Sequence, residues 1–201
     1  MAETVDWVLR NAHVADGAPL VDIALDKGEV KALGTQLPLA GAQEWDVGGQ
    51  VVLPGFVDAH VHLDKTFYPL PNRGGTLLEA IAIWGASRQT LSKASFIERA
   101  NRAVKMALQM GTTAIRTHVD TVTFSDLLAL EAILEVREQW RKYVDIQIVA
   151  LGHPGESADH TAAVREALRL GADLIGGAPA LLADPQRSIR AAFMLAEESG
   201  K

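Results

Sequence analysis

The sequence predicts a two-part α/β protein: a small all-β region over residues 1–52, then a parallel sheet with alternating helices over residues 53–201. Short apolar runs separated by turn residues fill the first region, whereas strand-like and helix-like segments alternate in the second. A glycine follows a predicted helix at Gly111, Gly171 and Gly200. Such alternation favours parallel strands joined by right-handed crossovers.

The first region contains three predicted strands. One begins at residues 7–9, and the others cover 21–25 and 29–33. Between the last two, residues 26–28 read Asp-Lys-Gly, which is typical of a tight hairpin because glycine readily takes positive φ. Two glycines at 48–49 end the region.

The second region shows four strand–helix units. A serine or threonine followed three residues later by glutamate, as at Thr76 and Ser95, predicts a helix start, and Asp184 before a proline predicts another. The predicted strands are 51–59, 113–119, 144–151 and 173–176, and the remaining two helices are predicted to begin at Ser125 and Thr161.

The number of units leaves two architectures open. A TIM-type barrel of eight strand–helix units takes about 250 residues, and residues 53–201 provide 149. The chain is therefore either the first half of a (β/α)8 barrel or an open four-stranded sheet. Only Lys201 follows the glycine at position 200, so we expect the chain to stop inside a unit.

Composition excludes several classes of function. The chain is 48% hydrophobic and 22% charged, with a net charge of -6 and no cysteine. Disulfides, thiolate nucleophiles and cysteine zinc sites are excluded, and an acidic chain is not expected to bind nucleic acid. The sequence shows neither a signal-peptide pattern nor an apolar run of about 18 residues. We expect a cytoplasmic protein without membrane contact.

The strongest chemical signal is His60-Val61-His62 at the end of the apolar run 51–59. Two histidines one residue apart on a strand face the same side. At the carboxyl end of a buried strand they would form half of a site for one divalent metal ion, zinc or iron. The alternative is a pair of merely hydrogen-bonded strand histidines.

Other polar residues follow the same strand ends. Lys65 is a candidate substrate-binding residue, or else a solvated lysine. Asp64 could anchor an imidazole N–H, or else be a turn carboxylate. His118, with Asp120, follows the second strand and could line the site's rim, or else be a buried, satisfied histidine. His153 follows the third strand and is a candidate substrate contact.

Several segments in order resemble one family. Residues 53–65, LPGFVDAHVHLDK, resemble the first barrel strand of the amidohydrolase superfamily, and more narrowly its branch of cytosine deaminases and N-isopropylammelide isopropylaminohydrolases. Residues 116–120 are similar to that branch's second strand, 145–150 to its third, and 167–173 to the approach to its fourth.

The resemblance implies a fold and a reaction. Residues 1–52 would be the amino-terminal part of a small β-sandwich beside a metal-dependent barrel, and His60 and His62 would bind the catalytic zinc or iron. The remaining metal ligands and the acid/base groups come from later strands in the family, so the catalytic residues are expected beyond Lys201. The complete enzyme, expected to be a homo-oligomer, would hydrolyse a C–N bond of a small pyrimidine or triazine through metal-activated hydroxide. Residues 1–201 alone should be inactive and fold poorly.

Two departures from the branch bear on the substrate. His153 stands roughly where cytosine deaminases carry a glutamine, and residues 177–180 lack the histidine commonly present there. The resemblance therefore does not favour cytosine itself as the substrate.

Two rival functions remain open. A metal-dependent nuclease barrel also begins with His-x-His, but such proteins lack a preceding β region like residues 1–52. A non-catalytic domain that kept the motif would have a stop codon after Lys201 and no tightly bound metal. The enzyme interpretation instead predicts a continuing frame with a histidine within about ten residues, one strand's length.

Overall fold

Short strands joined by tight turns build the amino-terminal part of the computed structural model, which describes residues 4–70 and 72–201. They form one mixed sheet in the order β3-β2-β1-β4, with β1 antiparallel to β2 and parallel to β4. The strands are β1 (Thr4–Ala12), β2 (Val21–Asp26), β3 (Glu29–Gly34) and β4 (Ala40–Asp46). The predicted hairpin between β2 and β3 is confirmed, with φ values of 53° at Lys27 and 82° at Gly28.

Arg10 of β1 joins several parts of this sheet. Its guanidinium donates to Asp22 at 2.9 Å and to Glu44 at 3.0 and 3.2 Å. It also donates to the carbonyls of Leu37 and Leu39, at 3.0 and 2.7 Å. These bonds link β1, β2, β4 and the segment before β4 around one cation.

A second, parallel sheet follows, in the order β5-β6-β7-β8. Its strands are β5 (Phe56–Val61), β6 (Thr112–Asp120), β7 (Asp145–Leu151) and β8 (Leu174–Gly176). The helices are α1 (Leu77–Ser87), α2 (Lys93–Gln109), α3 (Leu127–Trp140), α4 (Ala158–Leu170) and α5 (Pro185–Ser199). The predicted α/β class is confirmed. The chain forms two compact units, Met1–Pro54 and Gly55–Lys201.

Helix starts follow the nearest available capping oxygen. Thr76 caps α1 as predicted, accepting from the Glu79 amide at 3.2 Å. The predicted start at Ser95 is wrong, because Ser92 already accepts from the Ser95 amide and α2 begins at Lys93. Likewise α4 begins before Thr161, with Ser157 as its cap.

Helix ends agree with the glycine pattern. A glycine comes one or two residues after the end of α2, α4 and α5. These are Gly111, Gly171 and Gly200, with φ values of 88°, 123° and 68°. Glycine takes this region of φ without the steric penalty of a Cβ. After Gly111 and Gly171 the chain enters β6 and β8 within a few residues.

The helices cover one face of the parallel sheet. Alternate residues of β6 and β7, such as Ile115, Val119 and Ile148, are buried in a core with α2, α3 and α4. The intervening residues point to the other face, where Arg116 donates to Gln147 at 2.6 Å. Within 4–70 and 72–201, no helix is long and apolar enough to cross a bilayer.

Candidate functional site

The histidine pair lies at the carboxyl end of β5. His60 is in the strand and His62 directly follows its last residue. Their ring centroids are 5.3 Å apart and the ring planes are 78° to one another. The two imidazoles are therefore neighbours at one edge of the sheet, as the spacing predicted.

A hydrogen bond fixes the tautomer of His62. Its Nδ1 lies 2.8 Å from the carbonyl oxygen of His118. Because a carbonyl can only accept, Nδ1 carries the proton and Nε2 keeps its lone pair. Burial, and then the nearby Lys65, lower the pKa of His62 to about 4. His62 is thus a neutral imidazole near neutral pH, which is the form that binds metal ions.

His118 is brought directly onto the pair. Its ring stacks on that of His60 with 4.0 Å between centroids, and its centroid is 5.9 Å from that of His62. Within the described residues its buried Nδ1 forms no well-made hydrogen bond, although the Val61 backbone lies nearby. Burial, followed by the charge of His60, lowers the pKa of His118. His118 thus lies at the rim of the histidine pair, and its role as a substrate contact stays a prediction.

Lys65 also reaches the pair. Its Nζ lies 3.3 Å from Nδ1 of His62 and donates to Oδ1 of Asp120 at 2.7 Å. Since Nδ1 of His62 already carries a proton, the short contact that orients the ammonium is the one with Asp120. The alternative of a freely solvated lysine does not hold in this structure.

Asp120 receives two further partners, neither of which the sequence had indicated. Nε1 of Trp84 in α1 donates to Oδ2 at 2.6 Å, and the Arg88 guanidinium lies 3.6 Å from the same oxygen. Arg88 also pairs with Asp126 at 3.0 Å. Trp84 and Arg88 are four residues apart, a spacing that places two side chains on one side of a helix. This spacing is the sequence feature from which their shared position could have been predicted.

Asp64 is fully buried beneath the same strand end. Within the described residues neither carboxylate oxygen forms a well-made hydrogen bond, although the Asp120 and Asp64 amides lie nearby. Burial raises the pKa of this carboxyl to about 7. Of the two alternatives for Asp64, an anchor of an imidazole or a turn carboxylate, the first does not apply to His62, whose Nδ1 is held by the His118 carbonyl.

A buried arginine hydrogen-bonds to the backbone of the segment that carries Asp64. Arg99 of α2 donates to the carbonyls of Asp64 and Thr66, at 3.0 and 2.7 Å. The backbone amide of Leu63 donates to the buried hydroxyl of Thr117 at 3.0 Å. These bonds fix the turn that presents Lys65.

His153 follows β7 at the same edge of the sheet. Its buried Nδ1 has no hydrogen-bond partner in the part of the chain that the structure describes, and the centre of its ring lies 6.4 Å from that of His160. Burial, and then His160, lower its pKa. Among the described residues no ring contact joins His153 to the histidine pair, so its role as a substrate contact stays a prediction.

The donor set fits one part of a metal centre. His60 and His62 are neighbours, and the lone pair of His62 Nε2 is free of the His118 bond. Over 4–70 and 72–201, however, no group of three or more histidine, aspartate or glutamate side chains is arranged to hold a metal ion. A catalytic zinc site takes three protein ligands and one open position.

Comparisons with known proteins identify the family of the chain. The Amidohydrolase family profile matches residues 51–200. N-isopropylammelide isopropyl amidohydrolase of Pseudomonas sp. (strain ADP) is 30% identical over 190 residues, which are 88% of this chain and 46% of that protein.

Solved structures extend the match to the fold. A 5-methylcytosine deaminase from Klebsiella pneumoniae superposes with a TM-score of 0.83 at 29% identity, over 96% of this chain and 50% of its own. N-isopropylammelide isopropylaminohydrolase from Burkholderia multivorans gives 0.83 at 31% identity, over 98% and 51%. The chain spans about half the length of these relatives. Residues 51–200 carry the family's features, and the chain belongs to the amidohydrolase family.

Proposed function

We propose that this chain supplies the first half of the active site of a metal-dependent hydrolase that cleaves a C–N bond of a small nitrogen heterocycle. The observation that carries the proposal is the histidine pair, with the tautomer of His62 set by the His118 carbonyl at 2.8 Å. The relatives' names support the substrate class, since they describe an amidohydrolase of a triazine and a deaminase of a pyrimidine.

The metal would be zinc or iron, held by Nε2 of His62 and by His60, with its further ligands supplied by residues outside those described here. When bound, such an ion supplies a water of lowered pKa as the nucleophile. The neutral state of His62 supports this assignment, because a protonated imidazole cannot coordinate a cation.

The other polar groups at this edge would bind the substrate. The Lys65 ammonium offers hydrogen bonds to a carbonyl oxygen on the substrate ring, and its half-buried setting makes such bonds stronger than in water. His118 presents a neutral imidazole against His60. His153 would contact the ring from the end of β7.

A second candidate is a non-catalytic domain that retains the motif. One observation favours it: within the described part of the chain, the histidine pair has no third protein ligand. This candidate predicts that no metal is bound tightly.

The first experiment is to read the native gene beyond the Lys201 codon. We expect the frame to continue through a strand with histidine. The full product of that reading frame is then purified, and its metal content is measured by inductively coupled plasma mass spectrometry. Release of ammonia or alkylamine is assayed with aminopyrimidines and aminotriazines as substrates.

Variants identify the metal-binding residues. His60→Ala and His62→Ala should each remove the metal and the turnover. The matched control is His13→Ala, because His13 lies in the other unit. A stop codon directly after Lys201, with no metal in the product, would instead establish the non-catalytic candidate.

A further inference from the structure

The Asp120 carboxylate accepts hydrogen bonds from two distant parts of the second unit and lies near a third group, a guanidinium. Oδ1 accepts from Lys65 at 2.7 Å, and Oδ2 accepts from Trp84 at 2.6 Å with Arg88 at 3.6 Å. Only 9% of Asp120 is exposed. A buried carboxylate that is bonded at both oxygens has a fixed orientation.

This carboxylate serves Lys65 more than Arg88. Arg88 has its own carboxylate partner, Asp126, at 3.0 Å, and lies 3.6 Å from Asp120. Lys65 is closer to Asp120, at 2.7 Å. The two cations and two carboxylates therefore form two pairs, and Lys65–Asp120 is the pair beside the histidines.

The pair holds an ammonium with hydrogen-bonding capacity left over. A lysine side chain is flexible and loses rotamer freedom when it is held. An ammonium has three donors, and Asp120 takes one of them. Nδ1 of His62, 3.3 Å away, takes none, because it donates to the His118 carbonyl.

We propose that Asp120 and Trp84 are positioning residues, which hold the Lys65 ammonium beside the histidine pair so that the site selects heterocycles with a ring carbonyl or enolate oxygen. Trp84 fixes one oxygen of Asp120, and the other oxygen directs Lys65. This inference rests on the proposed function for the substrate, but the positioning itself does not.

The positioning is tested by the indole N–H signal of Trp84 in nitrogen-15 NMR of the full product of the reading frame. Trp84→Phe identifies the signal by its loss. Lys65→Met should shift it, because the carboxylate that accepts the indole bond loses its other partner and the ammonium 5.5 Å from the centre of the Trp84 ring is removed. The matched control is Lys93→Met, since Lys93 pairs with Glu131 and Glu135 and not with Asp120. An unmoved signal in Lys65→Met would overturn the positioning.

The selection is tested by calorimetric binding of ammelide, which carries two exocyclic oxygens on its ring carbons, and of melamine, which carries none. The wild type should prefer ammelide. Lys65→Met and Asp120→Asn should each reduce that preference by about tenfold to a hundredfold, the range for a hydrogen bond to a charged group. Trp84→Phe should reduce it by about threefold, and Lys65→Arg should restore part of it.

The outcomes separate the two claims. If both triazines bind equally to wild type and to Lys65→Met, the selection is overturned. If the wild type binds neither triazine and hydrolyses no aminoheterocycle, the proposed function fails, and the Trp84 signal still decides the positioning. Loss of preference in Lys65→Met but not in Asp120→Asn would overturn the role of Asp120.

Discussion

In each of the two units, charged side chains surround one central charged group. The two centres differ in whether hydrogen-bond donors remain unused. In the first unit the centre is the Arg10 cation, whose Nε, Nη1 and Nη2 all bond to carboxylates or carbonyls. In the second unit the centre is the Asp120 anion, and its partner Lys65 keeps donors available beside His62.

The difference separates stabilisation from function. Arg10 connects strands and a connecting segment, and each bond it makes ends within that unit. Asp120 connects a turn, a helix and a strand end, and directs a cation toward the histidine pair. A polar cluster whose members are all satisfied serves folding, whereas one that presents a charge beside potential metal ligands is a candidate for chemistry.

The largest expected effect comes from removing the second centre. Asp120→Ala leaves Lys65 and the Trp84 indole without their shared acceptor, while Arg88 keeps Asp126. We expect a loss of about 3 kcal/mol in the free energy of unfolding, as for a buried ion pair that loses one member. This loss is measured by urea denaturation monitored by circular dichroism.

Asp120→Asn is the matched variant for this prediction. Its amide oxygen can still accept from Trp84, so a smaller destabilisation is expected. Equal losses in Asp120→Ala and Asp120→Asn would show that the charge, rather than the indole bond, provides the stability.

Removing the first centre should cost less and leave the site intact. Arg10 is partly exposed, with 24% of its side chain accessible, and Asp22 keeps bonds from the Asn11 and Leu37 amides. We expect Arg10→Ala to lower the free energy of unfolding by about 1.5 kcal/mol. Metal content should not change, and a loss of metal would contradict the separation of the two centres.

The cost of Arg10→Ala should depend on pH. The Arg10 guanidinium, followed by the Gly41 amide, lowers the pKa of Glu44. A carboxyl with a lowered folded-state pKa stabilises the fold above its ordinary pKa, and this stabilisation is lost as the pH falls through the folded-state pKa. Unfolding midpoints of wild type and Arg10→Ala should therefore converge in acid, and a constant difference would exclude the contribution of Glu44.

The smallest effect is expected for an exposed ion pair that belongs to neither centre. Arg165 of α4 pairs with Glu198 of α5 at 2.8 Å, with 52% and 55% of the side chains exposed. Pairs this exposed contribute little. Glu198→Gln should leave the thermal midpoint unchanged within error, and a clear drop would show that exposed pairs matter in this fold.

The sequence predicted the regular elements because their signals are local. The hairpin at Lys27-Gly28, the cap at Thr76 and the glycines after α2 and α4 each depend on a few neighbouring residues. The errors were local too: the predicted start at Ser95 missed α2 by a few residues, because Ser92 offers the same capping oxygen earlier.

The sequence by itself determined that His60 and His62 are neighbours, since side chains two positions apart on a strand point to the same face. Only the tertiary structure decided what surrounds them. Lys65 and Trp84 lie 55 and 36 positions from Asp120 along the chain and meet at its two oxygens. No local pattern encodes such a meeting, because it depends on the parallel pairing of β5 with β6 and on α1 bringing Trp84 to Asp120.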